Sequence, residues 1–124
     1  MKMKPKVLVI DDYQALLDIS KEVLESHGYD VRAALDGLSG VALFKSGYLS
    51  ISCVITDIDL PDISGFQVIK KLEIIDKTVP ILVWSGDVTK LNELKAEGYA
   101  TLSKPFRLKT FIELVDSIKR ETNL

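Results

Sequence analysis

The apolar positions of the chain alternate between two rhythms. Val7-Leu8-Val9-Ile10 is an unbroken aliphatic run that stops at Asp11-Asp12, and a strand without polar alternation is one covered on both faces. Leu16, Ile19, Val23 and Leu24 then recur at helical spacing up to His27-Gly28, where glycine can adopt the left-handed conformation that closes a helix. Residues 30 to 34 read as a short second strand. Asp36-Gly37 opens a second helix with Leu38, Val41, Ala42 and Phe44, ending near Gly47, the aspartate serving as cap. Residues 51 to 56 form a third strand. Pro61 to Gly65 is a turn into a helix with Phe66, Ile69 and Leu72 on its inner stripe. Pro80 to Trp84 is a fourth strand ending at Ser85-Gly86-Asp87, followed by a weaker helix over Lys90 to Glu97 anchored by Leu91 and Leu94. A fifth strand, Ala100 to Ser103, breaks at Lys104-Pro105, and Phe111, Ile112, Val115 and Ile118 mark the last helix.

Strand followed by helix, five times over, implies a parallel sheet with right-handed crossovers and helices on both faces. The expected architecture is therefore a three-layer α/β/α, flavodoxin-like, doubly wound five-stranded parallel sheet of order 2-1-3-4-5. The 124 residues fit one domain, taken as residues 1–124. An apolar share of 47% with 27% charged residues is ordinary for a globular chain. No apolar run approaches the roughly 18 residues of a membrane span, and the basic start, with Lys2, Lys4 and Lys6 read as a solvated tail, lacks the apolar core of a signal peptide. Cytoplasmic residence is the expectation, with no membrane contact. The single cysteine, Cys53, lies inside an apolar strand and reads as core. A net charge of -2 with no dense basic helix face argues against direct nucleic-acid binding.

The topology sends one set of polar residues to a common edge. The first strand ends in Asp11 and Asp12, the third in Asp57, the fourth in Ser85 and the fifth in Lys104. With the first and third strands adjacent, three carboxylates meet, and like charges that close raise one another's pKa or require a cation. Magnesium suits this set, since it takes oxygen ligands and is usually held by one or two carboxylates together with phosphate oxygens. Asp11 and Asp12 would then hold the metal. Asp57 would be a nucleophile able to form an acyl phosphate, with Lys104 and Ser85 on the phosphoryl oxygens.

These motifs resemble those of the receiver domain of bacterial two-component response regulators. The acidic pair Asp11-Asp12, Thr56-Asp57-Ile58 followed by Leu60-Pro61 and Gly65, the hydroxyl in Trp84-Ser85-Gly86, and Lys104-Pro105-Phe106 carry the likeness in order and spacing across the whole chain. The resemblance implies that Asp57 accepts a phosphoryl group from a sensor histidine kinase or phosphotransfer protein in a magnesium-dependent reaction. Ser85 would swing toward that group, Lys104 would pair with it, the Asp59 carbonyl would help hold the metal, and the Lys104-Pro105 bond would be cis. It further implies a switch rather than a turnover enzyme, with a downstream protein target on the fourth helix, fifth strand and last helix, in a monomer or a phosphorylation-dependent dimer. No effector domain follows Leu124, so a stand-alone, chemotaxis-type regulator and a receiver excised from a longer chain are both open.

The chain departs from the family pattern at the switch position three residues before the lysine, where Thr101 replaces the usual aromatic. Tyr99 is expected to pack against the last helix rather than to substitute. Asp59 and Asp87 add acidic charge two residues beyond Asp57 and Ser85. Trp84 reads as core and His27 as a helix-closing residue. Two alternatives compete: an unphosphorylated receiver-like binding module, suggested by Thr101, and a haloacid-dehalogenase-type phosphohydrolase, suggested by Asp57-Ile58-Asp59. The second places its Asp-x-Asp on the first strand, the reverse of the order here. A flavin or nucleotide site would need glycine and hydroxyl residues where this chain has two carboxylates.

Overall fold

The computed structural model describes residues 4–122. Five strands form one parallel sheet of order β2-β1-β3-β4-β5, the order expected from the alternation. The strands are β1 (Lys6–Ile10), β2 (Asp30–Ala34), β3 (Ile51–Asp57), β4 (Ile81–Ser85) and β5 (Ala100–Ser103). Between and after them run α1 (Gln14–Ser26), α2 (Gly37–Gly47), α3 (Gly65–Ile75), α4 (Val88–Ala96) and α5 (Leu108–Ile118), with a short 3-10 turn over Tyr48–Ser50 ahead of β3. Among the described residues no helix is long and apolar enough to cross a membrane.

Period-two alternation along the central strands divides the core. Leu8, Ile10, Val54 and Val83 face α2, α3 and α4, meeting Phe44, Val68, Leu72 and Leu91. Val7, Val9, Ile55 and Trp84 face α1 and α5, meeting Leu17, Leu24, Phe111 and Val115. Burying each of these large side chains contributes on the order of 1.5–3 kcal/mol, which is why the short elements hold. Cys53 is fully buried on the α1–α5 side, and burial pushes its thiol up to about 12.

Local signals set the helix ends. Asp36 accepts from the Ser39 amide at 2.7 Å to start α2. Ser64 and Gln67 exchange hydrogen bonds of 3.0 and 3.2 Å in a capping box at α3. Asp87 accepts from the Lys90 amide at 3.1 Å to start α4, so that helix begins at Val88 rather than Lys90. Gly28, at φ +89°, provides the left-handed residue past α1, and His27 closes that helix with Nδ1 2.9 Å from the Val23 carbonyl oxygen.

Several packing expectations change. Leu17, Ser20 and Leu24 form the buried face of α1 while Ile19 is 48% exposed, because the apolar positions at 16, 17, 19, 23 and 24 are compatible with two helical phases. Tyr99 does not pack against α5. It lies on the opposite face of the sheet, where its hydroxyl donates to Glu73 of α3 at 2.7 Å. Lys6 belongs to β1, its Nζ 3.4 Å from Ser50 Oγ, and is no part of a tail; Lys2 lies outside the described residues.

Candidate functional site

Parallel strands of a doubly wound sheet deliver their last residues to one edge, where ligands bind in such folds. Asp11 directly follows β1 and is completely buried. Its Oδ1 accepts from the Tyr13 amide at 2.9 Å and its Oδ2 from Lys104 Nζ at 2.7 Å. Asp57 is the last residue of β3, 8% exposed. Its Oδ1 accepts from the Ile58 amide at 2.7 Å and the Asp59 amide at 3.4 Å, while Oδ2 accepts from Lys104 Nζ at 3.2 Å. Asp12 is exposed at the mouth. Carboxylate oxygens of Asp11, Asp12 and Asp57 all lie within 4.8 Å of one another.

Ser85 ends β4, almost fully buried, and its hydroxyl accepts from the Asp87 amide at 3.0 Å. The Ser85 carbonyl in turn accepts from the Lys104 amide at 2.8 Å, which ties the fifth strand's exit to the fourth's. The Lys104-Pro105 peptide is cis. Thr101 is half-buried within β5, opposite Val83. The strand ends thus bring Asp11, Asp12, Asp57, Ser85 and Lys104 together, while Thr101 sits further back along the sheet.

Three carboxylates share this edge with one ammonium. Burial raises the Asp57 pKa above the ordinary carboxylate value and the Asp11 charge raises it further, against the opposing pull of Lys104. The excess negative charge invites a cation, and a donor set made only of oxygens fits magnesium. Asp59 does not join the triad through its side chain: its carboxylate turns to Lys90 Nζ at 3.1 Å.

Two sets of contacts in the loop after Asp57 were not readable from the motif. Gly65 starts α3 so close to the site strand that a Cβ there would stand 2.3 Å from the Asp57 carbonyl oxygen and 2.7 Å from the Ile58 Cα; its amide donates to the Ile58 carbonyl at 2.7 Å. Asp62, in the same loop, accepts from the Gly37 and Leu38 amides at 2.8 Å each, fastening the loop to the start of α2. Trp84 is core as expected. Its ring stacks on Phe106 at 5.4 Å and tilts against Phe111 at 5.5 Å, with Lys104 Nζ 5.6 Å from the ring centroid.

A doubly wound parallel sheet with an acidic triad and one lysine at its carboxyl edge defines a flavodoxin-like signalling domain. The chain belongs to the response regulator receiver domain family, whose model matches residues 7–116, and it is a receiver of the two-component systems. It is 32% identical over 128 residues to the DNA-binding dual master transcriptional regulator RpaA of Synechocystis, covering 96% of this chain and 51% of that protein. It is 25% identical to sporulation initiation phosphotransferase F of Bacillus subtilis, covering 95% and 94%. The chain spans about half the length of the first curated relatives it matches. Among solved structures, the receiver domain protein from Clostridium thermocellum superposes with a TM-score of 0.83 at 29% identity, covering 92% of this chain and 93% of that one. The chemotaxis response regulator CheY4 of Vibrio cholerae superposes at 0.82 and 27% identity, covering 94% and 99%.

Proposed function

We propose that Asp57 accepts a phosphoryl group from a phosphohistidine of a sensor kinase or phosphotransfer protein. The observation that carries this is the joint placement of Asp11, Asp12 and Asp57 within 4.8 Å, with Lys104 Nζ on both Asp11 and Asp57. A carboxylate oxygen of Asp57 attacks phosphorus, the P–N bond to the donor imidazole breaks, and the imidazole leaves with the bonding pair and takes a proton. The product is an acyl phosphate. Lys104 pairs with the transferred group, and the Ser85 hydroxyl, already held by the Asp87 amide, donates to one of its oxygens. Asp11, Asp12, Asp57 and the Asp59 carbonyl would hold magnesium, which supplies positive charge to oxygens that otherwise repel one another. The domain is a phosphoacceptor switch, whose covalent chemistry is limited to its own phosphorylation and dephosphorylation.

The donor protein must cover the site mouth. An open groove beside Lys104, lined by Tyr13, Leu16, Ile19, Phe106 and Leu108, offers the apolar surface for that contact; Tyr13 and Ile19 are 64% and 48% exposed. Output uses the surface of α4, β5 and α5. The added phosphoryl charge of roughly two shifts a pre-existing equilibrium there, with Ser85 and Thr101 as the switch positions. Tyr99 takes no part, being committed to Glu73.

Incubation with magnesium and acetyl phosphate, followed by intact mass measurement, tests the proposal. The wild type is expected to gain one phosphoryl group and Asp57→Asn none. No gain in the wild type, or an equal gain in the variant, would overturn it.

A further inference from the structure

Asp59 and Asp87 follow β3 and β4 by two residues each, and the main chain of each grips an atom of the site. The Asp59 amide reaches Asp57 Oδ1 at 3.4 Å and the Asp87 amide reaches Ser85 Oγ at 3.0 Å. Their side chains place two more carboxylates at the rim of a cluster that already holds three against one ammonium. A single residue answers both. Lys90, in the first turn of α4, brings Nζ to 3.1 Å from Asp59 Oδ1 and 3.9 Å from Asp87 Oδ2. The hydrogen bond to Asp59, and then that residue's charge, hold the Lys90 pKa above its ordinary value.

All three side chains are well exposed, at 41% for Lys90, 66% for Asp59 and 39% for Asp87. Ion pairs this exposed add little to stability, so the bridge is better explained by the field it sets than by the fold it holds. An acyl-phosphate donor approaches as an anion and a divalent metal as a cation. Charges about one Debye length from the path, roughly 8–10 Å at moderate salt, act on both with opposite sign.

We propose that Lys90 is an electrostatic screen at the mouth of the site: it offsets one of the two charges of Asp59 and Asp87, speeding the approach of anionic phosphodonors while weakening divalent-cation binding. The proposal rests on the reading of Asp57 as phosphoacceptor for its donor half. Its metal half stands on the acidic triad alone. Lys90 touches no reacting atom and is a positioning residue.

The test uses Lys90→Gln, Lys90→Arg and the double variant Lys90→Gln with Asp59→Asn. Two quantities are read on each: the initial rate of phosphorylation by acetyl phosphate, and the magnesium dissociation constant by calorimetry without phosphodonor. Removing one unit charge about 10 Å from a dianion changes the rate by roughly three- to fivefold at low salt. Lys90→Gln is therefore expected to be slower with acetyl phosphate by that factor and to bind magnesium several-fold more tightly, both differences shrinking as salt rises. Lys90→Arg should restore both values, and removing the Asp59 charge should move both back toward wild type. A bridge that merely propped the loop would weaken rate and metal affinity together, without rescue by Asp59→Asn. That result, or no change in magnesium affinity, overturns the proposal. If wild type accepts no phosphoryl group, the phosphoacceptor reading fails, while the calorimetry still decides whether Lys90 screens the site.

Discussion

At the amino-terminal edge of the sheet, Arg120 donates to the Ile51 and Tyr48 carbonyls at 3.2 Å each and to Thr78 Oγ1 at 3.0 Å, and it pairs with Asp76 at 2.7 Å. At the carboxyl edge, Lys104 alone faces Asp11 and Asp57, with Asp12 beside them. The two edges treat an aspartate withdrawn from solvent in opposite ways. Burial works to raise the Asp76 pKa, but the Thr78 amide, the Thr78 hydroxyl and Arg120 outweigh it and the value falls. At Asp57 burial leads, the Asp11 charge adds to it, and Lys104 does not compensate, so the value rises. One edge closes its electrostatic account within the chain and fixes the end of α5 beneath the sheet. The other leaves a net negative charge that only an added cation or a redistribution of charge can relieve, and this is the edge on which the proposed phosphoryl transfer is placed.

Mutations should separate the two edges. Arg120→Ala removes the charged partner of Asp76 and the hydrogen bonds to the Ile51 and Tyr48 carbonyls, at a cost of roughly 2–3 kcal/mol. Urea unfolding should show that loss while the phosphorylation rate of the folded protein stays unchanged. Gly65→Ala forces a Cβ into the Asp57 and Ile58 backbone; overpacking of this kind costs about 1–3 kcal/mol. Unlike the arginine change, it should also slow phosphorylation, because the strand that carries Asp57 must shift.

Asp57→Asn should raise the thermal midpoint at neutral pH. The sign follows from the raised folded-state pKa: the contribution of Asp57 to stability is fully present below its unfolded value near 3.8 and is lost as pH rises through the folded value. At pH 7 the ionised carboxylate therefore costs stability, and the amide does not. A scanning calorimetry series should show the gain above that window and its disappearance at acid pH.

The smallest effect concerns Asp62. Partial desolvation pushes its pKa upward, but the Leu38 and Gly37 amides prevail and bring it down to about 2. Its stabilisation is thus present above 3.8 and fades as pH falls toward about 2. Asp62→Asn should lower the neutral plateau of a urea-midpoint profile slightly and flatten its acid limb, the variant and wild type converging as pH falls toward about 2.

Much of this architecture was legible in the chain because each central strand is an aliphatic run that ends at a polar residue. The stop positions Asp11, Asp57, Ser85 and Lys104 pointed to both the fold and the candidate site at once. What the sequence hid were contacts between distant segments. Nothing near Arg120 in the chain announces carbonyls at Tyr48 and Ile51, and Lys90 lies 31 residues from Asp59. Tyr99 was misassigned because a residue at the start of a short edge strand can point to either face, and the direction is set by the Glu73 partner on α3. Ile19 was misassigned because α1 has more apolar residues than one face can bury.

The most direct test of the central claim locates the phosphoryl group itself. Wild-type protein is phosphorylated by acetyl phosphate with magnesium, reduced with borohydride to convert any aspartyl phosphate to homoserine, digested and sequenced by mass spectrometry. The account predicts homoserine at position 57 and at no other aspartate. Homoserine at Asp11, Asp12 or Asp59, or unmodified aspartate throughout, would contradict it.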